Sequence, residues 1–98
     1  GDEGSSYYRT ALLWIVPAKV EGTWKMGQGE LALKQDFQML AGSLSQDGKT
    51  VAIEGRMRGD QISFKAGTTE FTGRVNGTSI EGTRKAGTAS NPFTATKR

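Results

Sequence analysis

The sequence predicts an all-β fold, an antiparallel meander of seven or eight short strands closing into a small barrel. Three observations carry this reading. Dipeptides suited to two-residue hairpin turns recur as Gly27-Gln28, Asp47-Gly48, Gly59-Asp60, Gly67-Thr68 and Asn76-Gly77. Between them apolar and polar residues alternate, the period of a strand with one buried face. A motif of two bulky residues around a central glycine also returns, as VEGTW at 20–24, LAGSL at 40–44, IEGRM at 53–57 and FTGRV at 71–75, with a partial copy in IEGTR at 80–84. Glycine weakens a strand unless it marks a bend or a close approach. A strongly coiled strand in a small barrel needs such bends, and a large neighbour opposite each glycine covers the bare backbone.

The elements follow in order. Ala11 to Val16 is a continuous apolar run ended by Pro17, and it does not alternate. Such a run reads as a strand buried on both faces. The expected organisation is a disordered tail at 1–8, an apolar strand at 9–17 shared with a missing upstream domain, and the barrel at 18–98; the alternative for the apolar run is a barrel strand whose outer face the N-terminal tail covers. Leu13, Trp14 and Ile15 become the candidate domain-docking residues. A Gly27-Gln28 turn pairs Trp24 with Leu31 and Gly22 with Leu33. Leu31, Leu33 and Phe37 then fall on odd positions, while Leu40, Gly42 and Leu44 fall on even ones. Either a β-bulge near Gln38-Met39 or a tight turn around Gln35-Asp36 reconciles the two sets.

Downstream, Asp47-Gly48 pairs Leu44 with Val51, Gly42 with Ile53 and Leu40 with Gly55. Gly59-Asp60 pairs Met57 with Ile62 and Gly55 with Phe64, and Gly67-Thr68 pairs Phe64 with Phe71. An Asn76-Gly77 turn pairs Val75 with Thr78, Gly73 with Ile80 and Phe71 with Gly82. Phe93–Lys97 forms a last strand that returns near the first. The inward set is Trp24, Leu31, Leu33, Phe37, Leu40, Leu44, Ile53, Met57, Ile62, Phe64, Phe71, Val75, Ile80 and Phe93, enough to fill a short barrel.

Composition narrows the chemistry. The chain has 98 residues, thirteen basic against ten acidic, for a net charge of +3. It contains neither cysteine nor histidine, so a thiolate zinc site is excluded and the commonest general base and metal ligand is missing. No metal is expected. No stretch approaches the roughly twenty apolar residues of a membrane-spanning helix. Glu21, Glu54, Glu70 and Glu81 all alternate outward and apart, without the convergence that acid–base catalysis needs. This chain alone is expected to carry no catalytic activity.

Arg56, Arg58 and Arg74 point outward, Arg58 and Arg74 two strands apart with Gln61 between them, and form the candidate contact surface. Single-stranded nucleic-acid binders interleave such cations with exposed aromatics. Here the aromatics alternate inward, so nucleic acid is not the expected partner. Glu54, Lys65 and Glu70 form a cross-strand charge row typical of a solvated face. Arg58-Gly59-Asp60 and Asn76-Gly77-Thr78 match an adhesion tripeptide and a glycosylation acceptor, but both read first as turns. Gly22-Thr23-Trp24 resembles the G-x-W of lipocalins, and the meander is similar to avidin-like barrels, although those are longer. Their likeness implies an alternative function, a binding barrel for a small apolar ligand.

LLWIVPAKVEGTW, GRMRGDQISFKAG, FTGRVNGTSIEGT and the terminal FTATKR together resemble the C-terminal extension of a group of bacterial class I S-adenosylmethionine-dependent methyltransferases. The resemblance covers about Leu12 to Arg98. It implies that LWIVPA closes the sheet of an upstream methyltransferase domain, and that the β-rich remainder is an accessory domain contacting substrate or that catalytic domain. S-adenosylmethionine would belong to the upstream domain. The glycine-rich loop and the acidic residue that hold it in the family lie outside this chain, so no cofactor or catalytic position transfers. Gly27-Gln28-Gly29 reads as a hairpin turn, with no helix following to offer its N-terminus to an anion.

Overall fold

The computed structural model describes residues 16–98. Among them the strands run β1 (Gly22–Met26), β2 (Gly29–Asp36), β3 (Met39–Gln46), β4 (Lys49–Arg58), β5 (Gln61–Ala66), β6 (Thr69–Asn76), β7 (Ser79–Ala86) and β8 (Ala89–Lys97). Each pairs antiparallel with the next, and β8 returns to β1, so the meander closes into a barrel.

Every connection is a two-residue turn. At Asp47-Gly48 both residues take positive φ, 52° and 76°, the type I′ geometry. At Gly27, Gly59, Gly67, Gly77 and Gly87 only the glycine does, which is the type II′ arrangement with glycine at the first central position. The expected registers hold at four hairpins, including Trp24 with Leu31, Leu44 with Val51, Met57 with Ile62 and Phe64 with Phe71.

Two expectations need correction. The turn between β6 and β7 is Gly77-Thr78, one residue later than the Asn-Gly signal suggests. Asn76 pairs with Ser79, Val75 with Ile80, Gly73 with Gly82 and Phe71 with Arg84. A type II′ turn asks for positive φ only at its first position, so Gly77 fills it and Asn76 remains in the strand. Moving the turn by one residue shifts the pairing by two and leaves every side chain on its original face. The core therefore survives the slip.

The second correction is between β2 and β3. Neither a bulge at Gln38-Met39 nor a turn at Gln35-Asp36 forms; the turn is Phe37-Gln38, with Asp36 opposite Met39. Odd positions on β2 then face even ones on β3, which resolves the parity change. Phe37 is not a core residue. It occupies the first turn position with φ 57° and is 60% exposed.

The remaining members of the inward set are all buried, joined by Val20, Met26, Ala66 and Ala95. Phe64 stacks on Phe71 with centroids 4.6 Å apart, and Phe93 meets Phe71 edge-on at 5.2 Å. Strand glycines permit the backbones to approach this closely. A Cβ on Gly55 would collide with the Ser63 carbonyl oxygen and with Phe64.

Val16 to Glu21, which are not in a strand, lead into β1 and close one end of the barrel. The Ala18 amide donates to the Gly59 carbonyl over 2.9 Å. Gln35 clamps the same segment, its Oε1 accepting from the Val20 amide at 2.7 Å and its Nε2 donating to the Ala18 carbonyl at 2.9 Å. Val20 is thereby fully buried, and its carbonyl accepts the Trp24 indole N–H at 2.8 Å. Val16 and Pro17 thus end the apolar run outside any strand, while Leu13, Trp14, Ile15 and the tail at 1–8 lie outside the described residues. The closing seam is short, with Trp24 opposite Lys97 and Lys25 opposite Thr96. Lys97 also lies over the Trp24 ring, 5.9 Å from its centroid, and an Arg98–Glu30 ion pair extends the seam.

Candidate functional site

Alternation along β4, β5 and β6 puts Met57 and Ile62 inside and their neighbours outside. Arg58 is opposite Gln61, which is opposite Arg74, and Arg56 is opposite Ser63, which is opposite Thr72. All three arginines are exposed. Arg56 and Arg58 line a half-open depression of about 930 Å³ with Gln61, Ser63 and Thr72, and Pro17 and Gln38 stand at its edge. Arg74 does not line it. Its Nε lies 3.4 Å from the Asp60 carboxylate, with both side chains more than half exposed. Such a solvated pair contributes at most roughly 1 kcal/mol, but it turns Arg74 toward the β4–β5 turn. Two of the three expected contact arginines therefore share a site.

An apolar rim adjoins them. Val16 is 69% exposed and Phe37 60%, and they flank a shallow groove with Pro17, Lys19, Glu21 and Gln35. Met39, 48% exposed, stands directly opposite Arg56 on the outer face. Pro17 belongs to both hollows, so the exposed apolar side chains and the two guanidinium groups surround the point where the chain enters the barrel.

The Phe37 backbone is held in place from both sides. Gln35 Nε2 donates to the Phe37 carbonyl at 2.8 Å, and the next carbonyl, that of Gln38, accepts from the Met57 amide at 2.7 Å. A bulky residue in a sparsely populated backbone region costs on the order of 1–3 kcal/mol and persists only where its surroundings enforce it. Sequence reasoning missed this residue as a surface aromatic. The available signal was the parity change between Leu33 and Leu40, which a turn at Phe37-Gln38 satisfies as well as the two alternatives considered.

The chemistry available is that of contact. Guanidinium donors, hydroxyls, an amide and apolar side chains can hold a surface, but they supply no convergent acid and base. Glu21, Glu54, Glu70 and Glu81 are all exposed and lie apart. Glu70 is 3.6 Å from Lys65, within a row that continues from Glu54 to Lys85 across four strands. Among the described residues no charged or polar residue is buried, no three potential metal ligands cluster, and no helix is long and apolar enough to cross a membrane. Trp24, Leu31, Ile53, Ile62 and Ile80 are fully buried in the interior. Neither the protein-family models nor the curated proteins nor the solved structures compared with this chain match it.

Proposed function

We propose that this barrel is a non-catalytic accessory domain of a methyltransferase-like protein, which contacts the catalytic domain or its substrate through the face around Pro17. One observation carries the reading. Val16, Phe37, Met39, Arg56 and Arg58 gather where the chain enters the barrel. A domain attached there is tethered beside this face, and a short tether raises its effective concentration at the face to the order of millimolar. The exposed apolar side chains supply area to bury, and the arginines supply donors for carboxylates or backbone carbonyls at the rim. S-adenosylmethionine would stay with the upstream domain that the resemblance implies, since the glycine-rich loop that holds it in that family lies outside this chain.

The test is a charge reversal in the longer polypeptide. Replacing Arg56 and Arg58 together with glutamate should lower methyl transfer, or loosen association of the separately produced domains, by at least tenfold. The barrel should still fold, because both side chains are exposed. Unchanged activity and unchanged association in this variant and in Phe37→Ser would overturn the proposal. So would saturable, micromolar binding of S-adenosylmethionine by the barrel alone.

A further inference from the structure

The other end of the barrel is built differently. The segment ending in Val20 plugs the end that carries the β2–β3, β4–β5 and β6–β7 turns. At the opposite end the β3–β4, β5–β6 and β7–β8 hairpins surround an open cup of about 530 Å³. That volume falls within the roughly 300–1,000 Å³ usual for small-molecule sites.

The cup is lined from the inner face of the barrel. Leu44 and Phe71 form its buried floor, and Phe71 is fixed there by stacking on Phe64 and by the edge contact with Phe93. Val51, opposite Leu44 on the same face, remains 41% exposed, so part of the apolar wall is uncovered. Above this floor the inward positions become cationic and polar. Lys49 continues the β4 face of Val51 and Ile53, and Arg84 continues the β7 face of Ile80 and Gly82, standing opposite Phe71 on one side and Asn91 on the other. Both cations line the cup, together with Gln46. Asp47, at the turn, is the acidic residue that shares this lining. Among the described residues, neither Lys49 nor Arg84 has a carboxylate within 4.0 Å.

We propose that this cup binds a small organic anion, a carboxylate or sulfonate on an aromatic or aliphatic apolar body. The apolar body would cover Val51 and Phe71. The anionic head would meet Arg84, whose planar fork matches two oxygens at once, with Lys49 as a second positive charge and the Asn91 side chain as a further polar partner. A neutral apolar ligand would leave both cations without a counterpart. Below the cup, fully buried side chains, among them Trp24, Leu31, Ile53, Ile62 and Ile80, occupy the interior. The site lies at the opposite end from the contact face around Pro17, so either assignment stands or falls without the other.

The probe is 1-anilinonaphthalene-8-sulfonate, titrated into the 98-residue chain while its fluorescence is followed. Saturable binding with a blue shift is expected, with decanoate competing for the same site. The Lys49→Gln/Arg84→Gln double variant should weaken the dissociation constant at least tenfold, whereas Lys34→Gln, on the outer face of β2, should not change it. Amide resonances of Val51, Phe71 and Arg84 should move on addition of decanoate. The assignment is overturned by absence of saturable binding. It is equally overturned if the double variant, shown to be folded by circular dichroism, binds as tightly as the parent, or if the moving resonances cluster elsewhere.

Discussion

Gly73 and Gly82 face each other across β6 and β7, and neither has room for a side chain. A Cβ on Gly82 would run into the Thr72 carbonyl oxygen and the Gly73 Cα, both backbone atoms that cannot rotate away. Their outer neighbours are Ile62 beside Gly73 and Phe93 beside Gly82, so bulk covers the glycine pair from either flank. Gly82→Ala should therefore destabilise the barrel by about 2–3 kcal/mol, toward the upper end for overpacking. Gly77→Ala meets open space and is opposed only by its φ of 62°, a cost of about 1–2 kcal/mol. Thermal unfolding of the two variants should place Gly82→Ala lower. The reverse order would contradict the register.

Gln35 is the clamp of the closed end. Gln35→Leu removes the acceptor of the Val20 amide and the donor to Ala18 and Phe37. A buried amide left without a partner costs about 1–3 kcal/mol. With Trp14→Phe as background, Trp24 emission should shift to the red as Val20 lifts from the indole. Gln35→Glu keeps the acceptor and loses the donor, so it should fall between the two. An unshifted spectrum in Gln35→Leu would show that the segment is held by other contacts.

Phe37 trades stability for exposure. Phe37→Gly relieves a left-handed backbone that costs a side-chain-bearing residue about 1–2 kcal/mol, and loses about 0.5–1 kcal/mol to chain entropy. The net should be a gain of roughly 0–1.5 kcal/mol, read as a midpoint that rises by a few degrees. The same variant should weaken association with the proposed upstream domain. A barrel that becomes less stable would mean that the phenyl ring packs more than its 60% exposure suggests.

Much of the fold was legible because turn chemistry and alternation are local signals. Asp47-Gly48 and the three Gly-x turns at 27, 59 and 67 each set a register from two residues, and the buried face followed from parity. Asn76-Gly77 misled because one glycine serves either of two turn types, and the choice is made by the pairing of the flanking strands. Phe37 was illegible for a stronger reason. No glycine marks its turn, and the positive φ is imposed by Gln35 and Met57 from outside the dipeptide. The outward positions of Arg56, Arg58 and Arg74 could be read from alternation. The pairing of Arg74 with Asp60 could not, since it depends on how the β4–β5 turn lies against β6. The charged cup was hidden by its own pattern, because Arg84 and Lys49 occupy inward positions at strand ends that ordinarily read as solvated hairpin tips.

Hydroxyl-radical footprinting reads the proposed contact face directly, since Phe37 and Met39 are both oxidisable and exposed. The rates are to be compared between the 98-residue chain and a longer polypeptide that includes the proposed upstream domain. Both side chains should be protected several-fold in the longer protein, while Met26, buried in the barrel, stays slow in both. Equal oxidation of Phe37 and Met39 with and without the upstream domain would show that nothing docks around Pro17, and the accessory-domain account would fail.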